Sequence, residues 1–158
     1  TMLEQALDDY NAMRAREGER LCSDLLDKLD RIEQMVGQIE ERSPQTVAEY
    51  RQKLTDKMQE VLASAAVEES RILQEAAIYA DRVAVDEETV RMRSHLAQFH
   101  QMLSDSSPIG RKLDFLVQEM NREANTTGSK CADSQISKLV IDMKAEIEKI
   151  REQVQNIE

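Results

Sequence analysis

Asp114, Gln118, Asn121 and Asn125 recur at steps of four, three and four. At roughly 100° per residue, this spacing draws one narrow polar stripe along a helix face. A solvated face ordinarily carries interchangeable Lys and Glu, whereas short acids and amides suit partners of fixed geometry. Arg111 and Arg122 flank the stripe. Upstream, Glu88, Met92, His95 and Phe99 share a second helix face, with Met102 close by. Its apolar members turn that face inward. Glu88 and His95 are therefore ionisable groups on a partly buried stripe, which costs free energy unless they are paired or coordinated. They stand roughly 10 Å apart along the axis, or two turns. Neither holds a metal ion alone, but either could do so with a carboxylate from another helix.

Two facing helices bearing Glu88, His95 and Asp114 would offer oxygen and nitrogen ligands to a hard divalent ion, Mn2+ or Mg2+ rather than a thiolate-seeking one. Arg111, Lys112, Arg122 and Lys130 would then meet phosphates. Arg91 would do the same or pair with a glutamate. Two plainer readings stand beside these. His95 could be a buried histidine bonded to a carboxylate or a backbone carbonyl, and the amide stripe could be a polar contact between helices or subunits. Other chemistries are missing from the sequence. It has no Gly-rich phosphate loop, no Gly-x-Ser-x-Gly elbow and no zinc spacing of Cys and His. Aromatics, at 3%, are too few for a base-stacking platform.

The elements that must position these residues are helices. Only 4 Gly and 2 Pro interrupt 158 residues, and 33% are charged. That composition predicts an all-α fold. Leu21, Leu25, Ile32, Val36 and Ile39 mark a first helix over about 3–41. Ser43-Pro44 reads as an N-cap followed by proline at the first helical position. It starts a second helix with Tyr50, Leu54, Met58, Val61 and Leu62 on one stripe. Together these predict a long antiparallel, coiled-coil-like hairpin over residues 1–66. A compact bundle of about four helices follows over residues 67–158. Its helices span about 68–83, 87–103 (capped by Asp86), 109–124 and from Asp133 or Ser134 onward. SDSSP, residues 104–108, is a loop, and NTTGSKCAD breaks the helix before the last. In that last helix Ile136, Val140, Met143, Ile147, Ile150, Val154 and Ile157 form a heptad seam that needs a partner helix.

Net charge is −10, which argues against a nucleic-acid binder by bulk electrostatics. The acidity is uneven. Residues 1–108 carry 13 basic and 22 acidic groups, and residues 109–158 carry 8 and 9. The C-terminal helices can thus present local basic patches. No apolar run approaches the ~20 residues of a membrane span, and the start TMLEQALDDY has no signal-peptide pattern. Cys22 and Cys131 lack metal spacing, so a reducing cytoplasm without disulfides is expected. A chain that begins at Thr1 reads as a fragment of something longer.

The blocks DEETVRMRSHLAQF, GRKLDFLVQEMNREANTTGSK and KAEIEKIREQVQNIE resemble the C-terminal domain of the YicC/YloC family, bacterial stress-induced endoribonucleases. The resemblance is close over residues 68–158 and looser over 1–66. This chain departs from the family's pattern at Ala84, where Asp stands, and at Cys131, where Ser is common. The resemblance implies an N-terminal α/β domain outside this chain and a homo-oligomer, a hexamer in the full-length protein. It further implies metal-dependent cleavage of RNA, with Mn2+ favoured over Mg2+. No DNA and no membrane are expected as partners. The resemblance does not single out the catalytic residues; from residue type and placement, Glu88, His95, Asp114 and Glu119 are expected as the catalytic set, the first three holding the metal. Arg91, Arg111, Lys112, Gln118, Asn121, Arg122, Asn125 and Lys130 bind RNA. The alternatives are a non-catalytic RNA-binding or oligomerisation module and, through the hairpin, docking of a protein of RNA degradation.

Overall fold

A computed structural model describes residues 1–62, 68–105 and 110–156. These form α1 (Met2–Leu62), α2 (Glu69–Val83), α3 (Asp86–Ser104), α4 (Gly110–Lys130) and α5 (Ser134–Gln155), with no strand among the described residues. Residues 106–108 of the expected loop, the helix start at Ile109, the last seam position Ile157 and Glu158 lie outside the described residues. So does the end of the expected hairpin, at 63–66. Ser104 of the expected loop is the last residue of α3. No described helix is long and apolar enough to cross a membrane.

The long hairpin is replaced by one continuous helix of 61 residues with Pro44 inside it. Such a helix is about 90 Å long at 1.5 Å per residue. An interior proline lacks the N–H that would bond the carbonyl four residues back, and costs ~3 kcal/mol. Here both flanks of Pro44 are held in place. Ile39 and Thr46 are buried on either side. The Thr46 hydroxyl donates to the Ser43 carbonyl at 2.7 Å. Arg42 donates across the proline to both oxygens of Glu49, at 2.6 and 2.9 Å. Tertiary and local contacts thus override the start signal of Ser43-Pro44.

The α5 seam finds its partners within the chain. Ile136, Val140, Met143, Ile147, Ile150 and Val154 are all buried, in one core with Leu25, Leu29, Ile32, Val36 and Ile39 of α1. That core draws on α1 as well as on α3, α4 and α5. The middle of α1 joins α3, α4 and α5 in a ring in which α1 touches α3, α3 touches α4, α4 touches α5 and α5 touches α1. Ring neighbours run antiparallel. Across α1 and α5 the pairs are Arg42–Asp133 and Arg31–Glu146. Across α1 and α3 they are Arg93–Glu40 and His100–Asp30. The result is an up-and-down four-helix bundle. Helix α2 lies outside the ring and packs on α1, where Tyr79 stacks on Tyr50 at 3.9 Å between ring centroids. Residues 1–20 extend from the bundle and are exposed.

Two helix ends differ from expectation. Asp86 is the first residue of α3 rather than its cap, and Val85 stands before it. Helix α4 continues through Asn125–Lys130 instead of breaking. Gly128 is the reason a glycine sits inside it: a Cβ there would stand 3.1 Å from Val140 Cγ1, so a bare backbone lets α4 and α5 approach. Gly128→Leu should cost about 1–3 kcal/mol in urea denaturation, through overpacking.

Of the two expected caps, Asp133 and Ser134, it is Asp133 that caps α5, accepting from the backbone N–H groups of Gln135 and Ile136 at 3.1 Å each. It also accepts from Arg42 at 2.8 Å. Arg42 first, and then these backbone bonds, hold its carboxyl below the usual carboxylate range. A depressed folded-state pKa contributes stability that is present above the unfolded value of about 3.9 and is lost as pH falls through the folded value. Asp133→Asn, which still caps, should be less stable than the wild type at pH 7, and the gap should close below about pH 4. Asp133→Ala should lose a further ~1 kcal/mol for the cap. Thermal melts across pH check both.

Candidate functional site

Helices α3 and α4 lie antiparallel, and their facing edges carry a ladder of ionisable groups. At one end Lys130, in the last turn of α4, donates to Glu88 Oε1 at 2.7 Å. Glu88 is only 3% exposed and lies in the acidic first turn of α3, where the helix dipole favours a carboxylate. Its bond to Lys130 is the main cause that raises the lysine's pKa. The other carboxylate oxygen, Oε2, is buried without a partner. One turn further along, Arg91 bonds Glu87 on its own helix and stands 3.8 Å from Glu123 across the groove. Glu123 is 3% exposed.

The next rung is the chemically unusual one. Ligand atoms of His95, Glu119 and Glu123 all lie within 4.8 Å of one another. Both ring nitrogens of His95 are enclosed and without any hydrogen-bond partner. Buried polar atoms are nearly always satisfied, and an orphaned one costs ~1–3 kcal/mol. A neutral imidazole has one donor and one acceptor nitrogen, so here both go unused in the protein alone. A nitrogen ligand and two carboxylates from an i, i+4 pair fit a divalent ion of Mn2+ type. Those residues therefore suit the metal implied by the sequence.

The expected trio of Glu88, His95 and Asp114 is not assembled. Glu88 is taken by Lys130. Asp114 sits on the other edge of α4, accepting from Gln118 at 3.0 Å. The helical period gives the reason, since Asp114 and Glu119 are five residues apart and so roughly 140° apart around the helix. The amide stripe accordingly turns towards α5. Gln118 and Asn121 line a cleft of about 200 Å³ with Val117, Ile147, Glu148 and Arg151. Asn125 is exposed.

Of the expected phosphate contacts, Lys130 is engaged as the counter-charge of Glu88, and Arg122 stands 3.9 Å from Glu119. Arg111 and Lys112 are exposed. The residue the sequence reading left out of the catalytic set is Glu123. Its signal was the i, i+4 spacing from Glu119 on the side of α4 away from the stripe. A second group, Asp30, Glu33 and His100, also meets within 4.8 Å. It lies on the α1–α3 face with both carboxylates exposed, and Glu33 is paired with Arg93 at 3.3 Å.

Loss of Lys130 should expose the weakness of the first rung. Lys130→Met leaves a buried carboxylate without its counter-charge, so the variant should be destabilised at pH 7. Adding Glu88→Gln should recover most of the loss. Denaturant midpoints of the two single variants and the double variant measure this.

Comparison with known proteins bears on what the groove does. Residues 39–158 match the family model described as Endoribonuclease YicC-like, C-terminal. A protein of Clostridioides difficile named probable endoribonuclease YicC is 44% identical over 163 residues, which cover 100% of this chain and 56% of that protein. The protein of the same name from Haemophilus influenzae is 34% identical over 158 residues, 100% of this chain and 54% of its own length. The chain thus spans about half the length of the curated relatives it matches.

Proposed function

The chain belongs to the YicC-like endoribonuclease family through its C-terminal domain, and from that premise we propose that the α3–α4 groove is the metal-dependent cleavage site of an endoribonuclease. The observation that carries this reading is His95, with two enclosed and unpartnered ring nitrogens beside Glu119 and Glu123. His95, Glu119 and Glu123 would hold the ion. When bound, a divalent ion supplies Lewis acidity to a phosphate oxygen and makes its water easier to deprotonate. The chain's own groups do the rest. Arg122, 3.9 Å from Glu119, places positive charge beside the cluster for the RNA backbone, and the exposed Arg111 and Lys112 extend it about two turns along α4. Arg91, held by Glu87, reaches Glu123 and orients it. The Glu88–Lys130 pair fixes the register that brings His95 to Glu119.

Cleavage in the whole protein, its assembly as a homo-oligomer and its action in the cytoplasm belong to the same proposal. The local charge supports an RNA substrate despite the net acidity, since residues 109–158 are near neutral with 8 basic and 9 acidic groups.

Calorimetric titration of Mn2+ into the chain should show one ion bound. Glu119→Gln and Glu123→Gln should each weaken it at least tenfold. In the full-length protein His95→Ala and Glu119→Gln should abolish cleavage of labelled RNA, a chelator should do the same, and Asp114→Asn should leave the product ladder intact. Cleavage that survives both His95→Ala and the chelator would remove the metal from the reaction. RNA binding without any metal-dependent product would instead make this domain a non-catalytic adaptor.

A further inference from the structure

The chain has five aromatic residues, and four of them have company. Phe99 is in the core. Tyr50 and Tyr79 stack on each other, and Arg14 lies over the ring of Tyr10. Phe115 is 60% exposed and has no aromatic or cation partner among the described residues. A single exposed apolar side chain is ordinary by itself. The neighbours of Phe115 are not. It lies on α4 four residues before Glu119, about 6 Å along the axis. By the helical period Lys112, Phe115, Glu119 and Arg122 fall within roughly 80° of one another around the helix, with Arg111 at the margin. One ring without any polar atom is thus set among cations on the same edge of α4 that faces the His95–Glu119–Glu123 cluster.

We propose that Phe115 is a nucleobase-stacking residue of this groove, taking the face of one unpaired base whose flanking phosphate is held by the cations Arg111, Lys112 and Arg122 of the same helix edge. The assignment rests on the reading of the groove as an RNA site. Every base has a π-face, so such a contact tolerates any sequence. A phenyl ring has no hydrogen-bonding edge with which to tell one base from another. In a duplex both faces of each base are covered by neighbours, so only a base out of the stack reaches the ring. One helical turn is also comparable to the reach from a base to its flanking phosphate. Phe115 therefore selects for an unpaired nucleotide beside the scissile bond, while Arg111, Lys112 and Arg122 hold the backbone without reading sequence.

The test is equilibrium binding of a labelled single-stranded RNA, and of the same RNA annealed to its complement, to the full-length protein in chelator so that no cleavage intervenes. Phe115→Leu keeps the apolar bulk and removes the π-face, and Phe115→Trp keeps stacking. The leucine variant should bind the single strand about tenfold more weakly, which is within the usual worth of one stacked base. It should bind the duplex as the wild type does, and the tryptophan variant should retain single-strand affinity. Replacing nucleotides one at a time by an abasic residue should weaken wild-type binding at one position and leave the leucine variant indifferent to that position. Wild-type affinity in the leucine variant would overturn the assignment. A changed sedimentation coefficient in that variant would overturn it too, making Phe115 a subunit contact. These outcomes separate from those of the metal site. Phe115-dependent binding without Mn2+-dependent cleavage leaves the stacking role standing and removes the nuclease, and a wild type that binds no RNA removes both.

Discussion

The buried ion pair between Glu88 and Lys130 sets the register on which the candidate site depends. It joins the first turn of α3 to the last residue of α4, at 2.7 Å, with the carboxylate almost wholly out of water. A charge in that place cannot be left alone. Sliding α3 by one turn against α4 would strand Glu88 among apolar neighbours and move His95 away from Glu119 and Glu123. The apolar layers beneath agree with the same register. Met92, Leu96 and Phe99 share a core with Leu113, Leu116, Met120 and Ala124. Hydrophobic contact is non-directional and tolerates small slips, whereas the ion pair does not. Packing therefore supplies the stability of this helix pair, and the polar ladder supplies its alignment.

A second set of polar ties anchors α1 to the bundle. Arg42 is bound to Glu49 and to Asp133, so one guanidinium both spans Pro44 and reaches the cap of α5. Arg93 bonds both carboxylate oxygens of Glu40, at 2.9 and 2.6 Å, and holds that carboxyl below its ordinary range. These bonds place α3 against α1 on the side away from the groove. The helix that carries His95 is thus fixed from behind by Arg93 and from its N-terminal end by Glu88. The proposed ion site would benefit from rigid elements of this kind.

The parts of the site differ in how far they could be read from the sequence. His95 and Glu88 stood out because ionisable residues interrupt an apolar stripe, and that inference depends only on the helical period. Glu119 followed from its position beside the packing face of α4. Glu123 and the true partner of Glu88 were not legible, because both depend on which edge of α4 faces α3. Asp114 and Glu119 lie on opposite edges, and either edge satisfies the same amphipathic pattern. Lys130 read as a phosphate contact for a similar reason. A lysine near a helix end is ordinarily solvated, and only the antiparallel approach of α3 brings a buried carboxylate to it.

By itself the sequence determined the all-α class, the apolar faces of α3, α4 and α5, a cap at Asp133 or Ser134 and the resemblance to an RNA-cleaving family. Each of these is local, set by periodicity, breaker content or contiguous motif. Tertiary structure decided the rest. It carried α1 straight through Pro44, because contacts on both flanks outweigh one missing hydrogen bond. It extended α4 through Gly128, because the close approach of Val140 needs a residue without a side chain. It also gave the α5 seam its partners inside the chain, and chose Glu119 and Glu123 over Glu88 and Asp114 as the companions of His95. A helix's own sequence says which face is buried, but the neighbour that covers that face decides which polar residues at its two borders meet.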